Sequence, residues 1–65
     1  MGYQKNIKDA CILIDELIKK GHTEPEITNM IQLRYGFGRL MVKKRIALLE
    51  ELGTITVDNG KITIN

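Results

Sequence analysis

Between Gly53 and Asn65 the apolar residues stop recurring at helical spacing and begin to alternate: Ile55 and Val57 interleave with Thr54, Thr56 and Asp58, and Ile62 and Ile64 with Lys61, Thr63 and Asn65. A period of two is that of a half-buried strand. The dipeptide between the runs, Asn59-Gly60, is the preferred pair for a two-residue type I′ turn, in which both residues take positive φ. Counting outward from it pairs Asp58 with Lys61, Val57 with Ile62, Thr56 with Thr63 and Ile55 with Ile64, which puts all the aliphatics on one face. An isolated two-stranded hairpin is barely stable in water. Everything upstream has helical periodicity, so a hairpin over 54–65 has to lie on helices.

Those helices can be placed in turn. Ile7, Ala10, Cys11, Ile14, Leu17 and Ile18 recur at the i, i+3, i+4, i+7 spacing of an amphipathic helix. Asn6 is positioned to cap it, and Gly21 stands where a left-handed C-terminal residue is wanted. The spacing predicts a first helix over 7–20, preceded by a loose arm over 1–5 from which Tyr3 could tuck against it. Lys19 and Lys20 complement its dipole. Thr23-Glu24-Pro25-Glu26 is a capping-box signature with proline in the first turn, and predicts a second helix over 24–35. Its inner face is Ile27, Met30, Ile31 and Tyr35; Thr28, Asn29 and Gln32 point outward, Arg34 suits the helix end, and Gly36 closes it. Gly36-Phe37-Gly38 is a tight turn with Phe37 as an anchor into the core.

The third helix, over 39–52, differs from the others. Val42, Ile46 and Leu49, continued by Gly53, fall on one narrow face, while Arg39, Leu40, Lys43, Lys44 and Ala47 fall on the opposite one. Arg39, Lys43 and Lys44 have no carboxylate three or four positions away on this helix, and Arg39 and Lys43 repel each other at i, i+4 by a few tenths of a kcal/mol. No Ser, Thr, Asp or Asn caps its start; Gly38 does, and Arg39 follows where a cation opposes the dipole. Free amides beside an arginine suit a phosphate. The net charge is only +2, but the segment from Leu33 to Leu49 carries Arg34, Arg39, Lys43, Lys44 and Arg45 and no acidic residue.

Helix, helix, tight turn, helix and short hairpin in this length resemble the winged helix-turn-helix superfamily. The residues that carry the resemblance are VKKRIALLEELGTI, Val42 to Ile55, similar to the family's recognition helix running into its first wing strand, and Glu26-Ile27 after a capping threonine. It covers Thr23 to Asn65, and the first helix by position. The family's turn often carries serine or threonine where this chain has Gly38, and the wing here is short, with Lys61 beside Asp58 at its tip. The resemblance implies an α+β fold of three helices followed by a C-terminal β-hairpin, and a partner in double-stranded DNA, as for a transcriptional regulator. Arg39, Lys43 and Lys44 would reach guanine edges or phosphates, Leu40 a thymine methyl, and Ala47 would allow close approach. Thr28, Asn29, Gln32 and Lys61 would be backbone contacts. Arg45, on the flank of the buried face, is divided evenly between a phosphate and an internal partner such as Asp15 or Glu16.

A second reading is a protein-interaction module, as a winged-helix subunit of a larger assembly. Ile12, Leu13, Met41, Leu48 and Leu52 exceed what a minimal core needs, and a second copy or another protein could bury them. With 65 residues the chain makes one domain whose core is marginal alone, which favours some partner. Other classes find little in the sequence. Cys11 is the single cysteine, and with only His22 beside it neither a disulfide nor a metal site within one chain is expected. Asp9, Asp15 and Glu16 lie on a helix surface, and no glycine-rich phosphate loop follows a strand. No enzyme activity, cofactor or small-molecule ligand is expected. The longest apolar run, Ala10 to Ile14, is too short to cross a bilayer, and no leader opens the chain, so the expected setting is the cytoplasm.

Overall fold

The computed structural model describes residues 2–65, with side chains from residue 6 onward. Three helices, α1 (Gly2–Lys19), α2 (Glu24–Tyr35) and α3 (Arg39–Glu51), precede two antiparallel strands, β1 (Ile55–Asp58) and β2 (Lys61–Ile64). The arrangement is α+β, and none of the described helices is long and apolar enough to cross a membrane.

α1 starts at Gly2 instead of following a loose arm over 1–5. Gln4, Lys5 and Lys8 are good helix formers, and Tyr3 and Ile7 carry the i, i+4 spacing back toward the start. Asn6 is therefore an interior residue and not a cap. Met1 and the side chain of Tyr3 lie outside the described residues. The helix ends one residue before the expected position, where Gly21 N–H donates to the Ile18 carbonyl (3.1 Å) and His22 N–H to that of Leu17 (3.2 Å), the paired bonds of a Schellman end.

α2 follows its signature. The Thr23 hydroxyl accepts from Glu26 N–H (3.4 Å) and the Glu26 carboxylate from Thr23 N–H (2.8 Å), the reciprocal capping box. At the far end Gly36 N–H donates to the Gln32 carbonyl (2.8 Å). The expected hairpin register is present pair for pair, and Asn59 (φ 52°) and Gly60 (φ 84°) take the positive φ of a type I′ turn.

The core draws on every element: Ala10, Ile14, Leu17 and Ile18 from α1, Ile27 and Ile31 from α2, Val42 and Ile46 from α3, Ile55 and Ile62 from the hairpin. No described polar or charged residue is buried. Three expected inner residues sit elsewhere. Met30 is 38% exposed: it leaves α2 to one side of the Ile27–Ile31 stripe, about 60° from the first and 100° from the second, and borders an open groove with Leu13 and Leu17. Phe37 is half-buried and packs its ring on Tyr35, centroids 5.9 Å apart, while the backbone of Gly38 lies close against Ile31. Ile64 shares a face with Ile55, Val57 and Ile62 but is half exposed: its cross-strand partner Ile55 is buried, whereas Ile64 borders an open pocket with Ile18, Lys19 and Leu49.

Candidate functional site

α2, α3 and the hairpin turn meet around an open groove of about 580 Å³ lined by Glu24, Pro25, Thr28, Asn29, Arg39, Lys43, Asn59 and Gly60. Backbone accounting explains how the turn comes to sit there. In the first turn of α2, Pro25 has no N–H, Glu26 N–H is bound by Thr23, and Glu24 N–H still needs an acceptor. The Gly60 carbonyl supplies it at 2.8 Å. Contact is close: a Cβ on Gly60 would lie 3.3 Å from Pro25 Cδ. The turn is thus fastened to α2, and the groove has a fixed wall opposite α3.

α3 enters from Gly38, whose φ of 119° and lack of any side-chain cap leave the first-turn amides without a side-chain acceptor. Arg39 and Lys43, one turn apart on the groove side, are both exposed and make no ion pair among the described residues. Glu24 lines the same groove without pairing with either cation. The remaining outward residues turn away from it. Leu40 and Lys44 line a second, smaller groove with Ile7, Phe37, Gly38 and Met41, and Ala47 is exposed on the ridge between the two. The face expected from the sequence is exposed throughout, but it is a convex ridge with a groove on each side and not one flat patch.

Arg45 does not belong to that face. Its Nε donates to Asp15 Oδ1 (3.1 Å) and its Nη2 to Asp15 Oδ2 (2.7 Å), a two-point fork that joins α3 to α1. The bonds it donates to Asp15 hold the guanidinium above its ordinary pKa. Of its two expected fates, the internal partner is the one observed. Of the expected backbone-contact residues, Thr28 and Asn29 line the main groove, whereas Gln32 and Lys61 are exposed without lining it. Glu24, Pro25, Asn59 and Gly60 were not among the expected residues. The free Glu24 amide was the available signal, since an amide at a helix start must find an acceptor.

The expected apolar flank also divides. Leu13 and Met41 are partly buried against the core. Ile12 is 59% exposed on α1, while Leu48 and Leu52 are exposed at the far end of α3. Cys11 is half-buried and free. His22 Nδ1 lies 3.7 Å from the Glu26 carboxylate, and the described residues contain no group of three or more potential metal ligands.

No protein-family description, curated protein or solved structure matches the chain.

Proposed function

We infer that this chain is a small double-stranded DNA-binding protein of the winged helix-turn-helix kind, acting in transcriptional regulation with α3 in the major groove. The observation that carries the reading is the unpaired Arg39–Lys43 pair, set by α3 against the fastened Asn59-Gly60 turn and the polar start of α2. A phosphate strand running along that groove would meet both cations together with Thr28 and Asn29, and contacts of this kind fix the register of a protein on the duplex. The ridge then offers Lys44 and Leu40 to base edges, with Ala47 small enough to permit approach. Glu24 borders the same path and favours a strand displaced toward α3. Arg45, engaged by Asp15, makes no contact.

An amide chemical-shift titration with a random-sequence duplex at low salt tests this. Shifts should concentrate at residues 24–29, 38–47 and 59–61. Shifts confined to α1 and the far end of α3, or none at all, would overturn the reading. The alternative of a module that binds only protein has one observation in its favour, the exposed apolar side chains of Ile12 on α1 and of Leu48 and Leu52 on α3, and it predicts no response to DNA.

A further inference from the structure

The basic groove carries a negative charge on the wall opposite its cations. Glu24 lines it with Arg39 and Lys43 but forms no ion pair with either, and its carboxylate accepts no hydrogen bond among the described residues. The capping box at this helix start uses Glu26 instead, whose carboxylate takes the Thr23 amide and hydroxyl. An acid in a first turn also favours the helix dipole, and Glu26 serves that purpose from the same turn. The backbone that carries Glu24 is held in place. Its N–H is bound by the Gly60 carbonyl at 2.8 Å, and Pro25, which follows it, lies close against Gly60. A carboxylate without a structural partner therefore stands on a fixed base, facing two cations that are equally unpaired.

We propose that Glu24 is a specificity-determining residue, which keeps a phosphate strand on the α3 side of the groove and off the α2 side. The inference rests on the DNA reading above. At about 580 Å³ the groove has room for a phosphate in more than one position. One beside Arg39 and Lys43 meets opposite charge, whereas one shifted toward α2 meets a like charge. Repulsion of this kind removes wrong placements and so fixes register more than it adds affinity. The placement it leaves is the one that sets Leu40, Lys44 and Ala47 of the ridge against base edges. The charge balance agrees with this role. Arg39 and Lys43 less Glu24 leave the groove a surplus of a single positive charge, in a chain whose net charge is only +2. So small a surplus holds DNA weakly by charge alone, and what the base edges add then decides where the protein stays. Without the carboxylate, DNA of any sequence would be held more tightly and the ridge would discriminate less.

Glu24→Gln removes the charge and keeps the shape. It should bind a random-sequence duplex at low salt about threefold or more tighter than the wild type, with a gain that shrinks as salt rises. Glu51→Gln makes the same change of net charge at the exposed far end of α3, and should alter that affinity much less. Against the sequence that the wild type enriches from a random duplex library, Glu24→Gln should gain little, so that the ratio of preferred-site to random-duplex affinity falls. A purely structural role for Glu24 would move the urea midpoint and leave that ratio unchanged. Equal gains from Glu24→Gln and Glu51→Gln, an unchanged ratio, or a wild type that binds duplexes without enriching any sequence would each overturn the proposal and leave the DNA reading standing. No wild-type binding at low salt would instead remove the DNA reading, and this inference with it.

Discussion

Gly38 answers to two requirements at once. Its φ of 119° disfavours any L side chain, and a Cβ there would lie 2.5 Å from Cγ2 of Ile31, a side chain that is fully buried and cannot swing aside. At Gly36, φ is also positive, at 75°, but the space beside it is open. Gly38→Ala should therefore cost about 2–4 kcal/mol by urea denaturation, and Gly36→Ala only about 1. Against the ~3–10 kcal/mol typical of a domain this size, the first is a large loss. Equal losses at the two glycines would mean that the close approach to Ile31 is not energetically significant. Arg45 gives a second residue-scale prediction. Its fork to Asp15 is about one-third exposed, so solvent screening limits its value, and Arg45→Met should cost about 1 kcal/mol of stability. If Asp15 keeps it from DNA, the salt dependence of DNA binding should be the same in that variant as in the wild type. A shallower dependence would return Arg45 to the contact face.

At the scale of elements, the start of α2 holds both the helix and the hairpin turn, and its electrostatics give a pH prediction. Bonds from the Thr23 amide and hydroxyl, with His22 nearby, hold the Glu26 carboxylate below its ordinary pKa. A carboxylate depressed in the folded state stabilises it above the unfolded pKa, about 4.3 for Glu. The contribution disappears as pH falls from there through the lower folded value. In a His22→Gln background, which removes the imidazole 3.7 Å from the carboxylate, the stability difference made by Glu26→Ala should thus be constant from neutrality to about pH 5 and shrink below it; a difference that grows on acidification in that background would contradict the capping box as charge-assisted. This element was legible in the sequence because threonine, proline, glutamate and Gly36 each act within a few residues of themselves. The hairpin register was legible for the same reason, through Asn59-Gly60. The start of α1 was not, because nothing between residues 2 and 6 forbids a helix and nothing there marks its beginning. Met30, Phe37 and Ile64 were misplaced because burial at the edge of a stripe depends on where the neighbouring element stops, which periodicity does not encode.

At the scale of the molecule, the basic groove is built by α2, α3 and the hairpin turn, while Leu33 borders a separate groove between α1 and α2. The cations could be read from a single helix wheel. The wall that faces them could not, since it depends on Glu24 N–H meeting Gly60 across the fold. Leu33 was not legible because an isolated apolar residue beside polar neighbours carries no periodic signal, and only its position beside Leu13, Leu17 and Met30 gives it meaning. The central claim is that the ridge of α3 binds duplex DNA through its unpaired cations. Fluorescence anisotropy against a random-sequence duplex over a range of salt tests it most directly, comparing the wild type with the Arg39→Ala/Lys43→Ala/Lys44→Ala variant. The account predicts that log affinity falls linearly with log salt, with a slope of roughly −0.9 per phosphate contact, and that the triple variant loses about two contacts' worth of that slope, those of Arg39 and Lys43, and most of its affinity. No binding at low salt, or equal slopes for the two proteins, would contradict it.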